Sequence, residues 1–280
     1  MPYGNLVKQR CQRFAIYTDL EKQQVTIEER EEYEPWIERG IVVYAGVDYE
    51  MILRKAEREA DVILWDGGNN DFSFYKSDLN VVVVDPLRPG HELIYYPGFV
   101  NFLLADVIVI NKMDSAERLD VATIQKHIQK YNPGAKVVTA HSPLGIEHPE
   151  IIKHKRVLVI EDGPTLTHGG MNLGAGMVAA KKCKAGTIVD AQHYAVGSLV
   201  EVYKQYPHLK KILPAMGYSK KQVLELQQTI NKTPCDVVID GSPVNISRLI
   251  RVNKPVVNVR YELEDFGKLR LHSVLNDFLK

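Results

Sequence analysis

Ala105-Asp106-Val107-Ile108-Val109-Ile110-Asn111-Lys112-Met113-Asp114-Ser115-Ala116 passes from an unbroken apolar run to a polar, turn-forming cluster within one residue. A short β-branched run with no polar alternation is a strand buried on both faces, as parallel sheets require. The same grammar recurs on either side. Asp61–Trp65 ends at Asp66, Val81–Val84 ends at Asp85, and Lys136–Thr139, Arg156–Ile160, Thr187–Val189, Asp236–Ile239 and Pro255–Val259 follow. Between them, amphipathic spacing predicts helices over residues 48–60, 115–131, 172–184, 196–206, 219–231 and 243–252. The expected fold class is therefore α/β, a mostly parallel sheet covered by helices. A soft boundary at His148–Lys155, where His-Pro-Glu punctuates before a new strand, divides it into residues 1–150 and 151–280. Residues 23–39 differ: they are rich in Glu and Arg, Pro35 should interrupt any helix, and the charges read as a solvated face.

Composition narrows the function classes. Thirty-five Lys and Arg balance 35 Asp and Glu in 280 residues. No net field then draws the chain to nucleic acid or to a membrane surface. Cys11, Cys183 and Cys235 are odd in number and widely spaced, which predicts free thiols in a reducing compartment. With no long apolar run and no secretory leader, a cytoplasmic location is expected.

Ligands of doubly wound sheets bind beyond the carboxyl ends of strands, so the chemistry is sought there. Asn111-Lys112-Met113-Asp114 is the Asn-Lys-x-Asp arrangement. An aspartate can accept from the ring N–H and exocyclic amine of guanine, a lysine stem can lie along the ring, and an asparagine can brace the loop. The alternative is a strand-end turn in which Asp114 or Ser115 caps the next helix. Asp66-Gly67-Gly68-Asn69-Asn70-Asp71 offers a carboxylate for a Mg²⁺ water shell, two glycines for close backbone approach to phosphate, and Asp71 as a second acid or base. Asp85 to His91 places Arg88 in a Pro-flanked loop suited to phosphate. Glu161 to Gly170, with Gly174 and Gly176 before a helix, resembles a backbone anion site to which Thr165, Thr167, His168, Gly169 and Gly170 could contribute.

No GxxxxGK followed by Ser or Thr occurs anywhere in the sequence. The runs WDGGNNDFSFYKSDLNVVVVDPLRPGHE (65–92), ADVIVINKMDSA (105–116), VLVIEDGPTLTHGGMNLGAGMVAA (157–180), YAVGS (194–198), LPAMGY (213–218) and VNKPVVNVRYEL (252–263) resemble the P-loop cyclic 2,3-diphosphoglycerate synthetases and related GTPases. The resemblance implies a P-loop NTPase-like domain in residues 1–150 that lacks the P-loop strand. It also implies a second, Rossmann-like α/β domain with a Gly-rich loop in residues 151–280. It reads the chain as the C-terminal portion of a longer protein, or as a partner of an upstream-encoded P-loop segment, with a homo-oligomer as a further possibility. The implied activity is nucleotide-dependent closure of a phosphoanhydride in a small phosphorylated substrate, with Mg²⁺ at Asp66. Carried over by position, Asn111, Lys112 and Asp114 would hold the base, and Arg88 and the Thr165–Gly170 loop would be candidates for the second substrate. Read from the residues themselves, Gly67, Gly68, Thr165, Thr167, Gly169 and Gly170 are the candidates for phosphate, and Asp66, Asp71, Arg88 and His168 for catalysis. The nucleotide is left as ATP, from the synthetase activity, or GTP, from Asn-Lys-x-Asp. A GTPase of metallochaperone or regulatory type, and a non-catalytic remnant or partner subunit, are the other readings.

Overall fold

The computed structural model describes residues 6–68, 71–162, 174–209, 211–215 and 219–280. The chain folds into two compact units, each discontinuous in sequence. The first comprises Met1–Arg54 and Leu144–Arg260, the second Lys55–Pro143 and Tyr261–Lys280. The partition differs from 1–150 and 151–280 mainly because the N-terminal segment packs with the later half and the C-terminal segment returns to the middle.

The second unit is built on the apolar run that precedes Asn111. Strands β3 (Val81–Val84), β4 (Val107–Ile110) and β5 (Lys136–His141) pair in parallel, and β12 (Glu264–Phe266) adds antiparallel to β5. One face of β4 packs Ile108 and Ile110 against Phe102, Ile124 and Ile128, which come from α5 (Gly98–Leu104), just after the single turn α4 (His91–Ile94), and from α6 (Arg118–Tyr131). The other face sets Val107 and Val109 beside Val138 and Val274 of α11 (Leu271–Phe278). All four β4 residues are buried, as the apolar run demands. Strand β3 is the edge: Val84 is buried but Val83 is 62% exposed.

Residues 61–65 do not form the expected strand. They run as coil, with Val62, Ile63 and Leu64 exposed and Trp65 set edge-on to Tyr75. An apolar run becomes a strand only when a neighbour takes its backbone hydrogen bonds, and none of the sheet's ladders includes this segment.

The first unit carries a six-stranded sheet in the order β6 (Leu144–Ile146), β11 (Val256–Tyr261), β10 (Val237–Gly241), β7 (Arg156–Asp162), β8 (Thr187–Ile188), with β9 (Ile212–Ala215) also pairing β7. Strands β7, β8, β9, β10 and β11 are linked by parallel ladders. Strand β9 escapes sequence detection because Pro214 reads as a strand breaker. Its place at a sheet edge lets the ring face away from any required donor. Helices α7 (Ala175–Lys182), α8 (Ser198–Gln205) and α9 (Lys220–Lys232) lie near their expected positions, whereas the span 243–252 yields only the single turn α10 (Ile246–Leu249). Val157, Leu158, Val159, Ile160, Val238, Ile239 and Val257 form the buried centre.

The N-terminal segment belongs to the same unit. Strands β1 (Gln12–Phe14) and β2 (Val43–Ala45) pair antiparallel, and α1 (Tyr17–Lys22) and α2 (Ile27–Ile37) lie between them. Helix α2 runs through Pro35, contrary to the sequence expectation. The missing N–H costs one bond in the last turn, while Phe14, Leu20 and Ile37 bury together with Tyr33 stacked on Phe14, and Glu38 N still donates to Glu34 O. Tertiary packing outweighs the local penalty. Nor are the charges merely a solvated face, because Glu34 is buried. Helix α3 (Tyr49–Ala56) follows, shorter than residues 48–60.

The topology predicts a contrast readable by urea unfolding. Ile160→Ala, in the centre of β7, should cost about 2–5 kcal/mol. Val83→Ala, on the open edge, should stay within about 0.5 kcal/mol.

Candidate functional site

In the first unit, β7 and β10 deliver carboxylates to the carboxyl end of the sheet. Register pairs Glu161 with Gly241 and Asp240 with Ile160, so the two acids sit one step apart on neighbouring strands. Glu161 is 2% exposed and Asp240 1%. Glu161 Oε1 accepts from Met177 N at 2.7 Å, and Oε2 from Gly176 N at 3.3 Å. The carboxylate therefore occupies the first turn of α7, where the free amides and the helix dipole favour negative charge. Of the glycines expected to border an anion site, Gly176 gives its amide to the chain's own carboxylate. The glycines are needed for close approach. A Cβ at Gly174 would lie 2.2 Å from Glu161 Oε2, and one at Gly241 would lie 2.5 Å from Gly176 N.

Burial pushes the Glu161 carboxyl up to about 7; the two amides pull it back, and Asp240 and Asp162 push it further. Burial likewise raises Asp240 to about 6, against hydrogen bonds from Ser242 and Ile246 and the charge of Arg260. Asp240 Oδ1 accepts from Ser242 Oγ at 2.6 Å and Ser242 N at 3.1 Å, and Oδ2 from Ile246 N at 3.1 Å, which fixes the turn into α10.

Above that end of the sheet, in the same unit, stand two arginines. Arg248, in α10, donates Nη1 to Glu38 Oε1 at 2.6 Å and to the Tyr17 hydroxyl, and its guanidinium lies 4.6 Å from the Tyr17 ring centroid. Arg260, on β11, donates Nη1 to Glu38 Oε2 at 3.1 Å. One carboxylate thus bridges two guanidinium groups, and they hold the Glu38 carboxyl below its ordinary value although partial burial opposes them. Sequence inspection misses this group because Glu38 lies more than 200 residues from both arginines.

The second unit has its own strand-end cluster. Asp85, after β3, accepts from Lys112 Nζ at 2.8 Å, Arg88 Nη2 at 3.0 Å and Leu87 N at 3.0 Å. Those partners hold its carboxyl below the usual range although half-burial opposes them. Lys112 and Arg88 thus meet on one carboxylate, that of Asp85, which the sequence reading grouped with Arg88 and His91 at this strand end. Lys112 has φ +55°, a left-handed conformation that turns the chain sharply after β4. Asp114 caps no helix: α6 begins at Arg118, and Asp114 Oδ1 instead accepts from Ser142 N at 3.0 Å, tying the loop to the end of β5. Asn111 Oδ1 is buried with no hydrogen-bond partner.

Asp66, Gly67, Gly68 and Asp71 lie on exposed coil rather than at a strand tip. Asp71 Oδ2 accepts from Gly68 N at 3.2 Å, closing a small turn on itself. Among the described residues no group of three His, Cys, Asp or Glu side chains converges as a metal site. Thr165, Thr167, His168, Gly169 and Gly170 lie outside the described residues. No described helix is long and apolar enough to cross a membrane.

The raised carboxyls give a pH prediction. A group whose folded pKa exceeds its unfolded value stabilises fully below the unfolded value and loses that contribution as pH rises through the folded one. Stability should therefore fall between about pH 4.5 and 7 by on the order of 3 kcal/mol for Glu161. Glu161→Gln, which retains an acceptor for Met177 N, should flatten that part of the urea-midpoint profile.

No family model matches the chain. Across all 280 residues it is 62% identical to the arginine synthetase ArcE of Thermococcus kodakarensis, covering 62% of that protein. Over 221 residues it is 29% identical to the cyclic 2,3-diphosphoglycerate synthetase of Thermococcus sibiricus, covering 76% of this chain and 48% of the other. The chain thus spans between about half and six-tenths of the length of these curated relatives. Among solved structures, LpxK from Aquifex aeolicus in complex with ATP aligns with a TM-score of 0.49 and 11% identity over 97% of this chain and 74% of that one, too distant to carry an argument. Both curated relatives are synthetases by name, and the alignment with the arginine synthetase spans the whole of this chain.

Proposed function

We propose that the chain serves as a nucleotide-dependent synthetase that forms arginine. The observation that carries the reading is the 62% identity over the full 280 residues, against 29% over 221 for the phosphoglycerate enzyme. It moves the substrate from a phosphorylated glycerate toward an amino acid, while keeping the synthetase class that the sequence motifs raise.

The chemistry sets what the residues must do. Making a guanidinium from a ureido group replaces a C–O bond by a C–N bond, and that oxygen leaves readily once a phosphoryl group has been placed on it. The transfer builds negative charge on phosphate oxygens, which paired cations stabilise. Lys112 and Arg88, steered by Asp85, are suited to that task, because a shared carboxylate fixes both side chains before substrate arrives. The Asn111–Asp114 loop would hold the base: one oxygen of its Asp114 carboxylate is held by Ser142 N, and Asn111 retains a buried acceptor without a partner. That loop favours guanine, so GTP is the alternative to ATP. A GTP-binding regulatory role is the second reading that the same loop supports.

The test supplies the purified protein with ATP or GTP, ammonium and the ureido analogue of arginine, and reads arginine by amino-acid analysis. Arginine formed in step with nucleotide consumption is expected. Activity on 2,3-diphosphoglycerate instead would return the reading to the phosphoglycerate class. Nucleotide hydrolysis with neither product would favour the regulatory one. In a GTP-using protein, Asp114→Asn should weaken GTP and spare ATP.

A further inference from the structure

Arg248 and Arg260 stand at the carboxyl end of β10 and β11, where open α/β sheets bind ligands. Their side chains are 44% and 39% exposed, so solvent reaches both. Each commits Nη1 to Glu38, and among the described residues no acceptor meets Nε or Nη2 of either. A guanidinium presents five donors in a planar fork that matches a carboxylate. Two such forks, one stacked on Tyr17, converge here on a single carboxylate that arrives from a different part of the chain. The ion pair is a weak stabiliser of the fold, since exposed pairs contribute only about 0–1 kcal/mol.

We propose that Arg248 and Arg260 form a clamp for the carboxylate of a free amino acid, and that Glu38 fills it as an internal stand-in. The proposal rests on the arginine-synthetase reading for the choice of that amino acid. The seated Glu38 shows that the spacing of the two guanidiniums admits one carboxylate bridging them through its two oxygens. Incoming carboxylate competes with Glu38, which lies just past the end of α2 at Ile37. Arg248 and Arg260 are specificity-determining residues in this scheme, and Glu38 is their competitor.

Calorimetric titration of the whole protein with L-arginine and with agmatine, which lacks the α-carboxylate, tests the clamp. L-arginine should bind roughly ten- to hundredfold more tightly than agmatine, the span expected for hydrogen bonds to a charged group. Arg260→Gln and Arg248→Gln should erase that margin without changing agmatine affinity, and Arg260→Lys should restore part of it. Glu38→Gln should tighten L-arginine several-fold by removing the competitor; a purely structural latch would instead weaken binding or leave it unchanged. A margin that survives both arginine variants, or a Glu38→Gln protein that binds no tighter, overturns the clamp and leaves the synthetase reading intact. If neither ligand binds the wild type, the arginine reading fails. The clamp is then judged by dicarbonyl modification of Arg248 and Arg260 mapped by mass spectrometry. Protection by acetate over phosphate upholds a carboxylate site, and no protection by either ion overturns it.

Discussion

A buried carboxylate at a strand tip constrains most of the first unit. Glu161 is carried out of the core by the apolar run of β7 and cannot reach water, so its oxygens must be met by backbone. The amides that meet it belong to the first turn of α7, and this fixes where that helix starts and how closely it approaches the sheet. Gly174 and Gly241 follow from the same requirement, because any side chain there would enter the space of the carboxylate or of the amides. Asp240 repeats the device one strand over, holding the turn into α10. That turn carries Arg248, so the geometry of the surface arginine is inherited from a buried acid.

The two units use strand-end acids in different ways. In the first, acids are sequestered, their protonation is favoured by burial, and the exposed chemistry belongs to arginines. In the second, Asp85 remains ionised because two cations and an amide face it, and it arranges Lys112 and Arg88. A carboxylate that is satisfied from within positions cations for an external anion better than a flexible lysine alone, since less conformational freedom is lost on binding. The edge strand β3 and the exposed segment 61–65 leave apolar surface of the second unit open, and they mark where pattern and pairing part company.

Particular residues show how far the sequence can be read. The apolar runs of β4, β7 and β10 are legible because burial on both faces leaves no polar residue for several positions. The Asn-Lys-x-Asp tetrapeptide can be located at a strand end because its four members are contiguous. Asp85 is visible as a neighbour but not as the shared partner of Lys112, since that bond spans 27 residues. The Asp61–Trp65 run misleads, because periodicity reports which residues prefer burial and not whether a neighbouring strand exists to accept them.

The amino-acid sequence by itself determined the α/β alternation, the strand-end location of polar residues and the balance of charge, all properties of local pattern and composition. Tertiary structure alone decided that Glu161 serves a helix rather than a ligand, that Pro35 is tolerated within α2, and that Glu38 meets Arg248 and Arg260. The physical reason is that hydrogen bonds and burial are consumed by whichever partner the fold brings within reach. A side chain's chemistry is written at its own position, but its availability depends on residues hundreds of positions away.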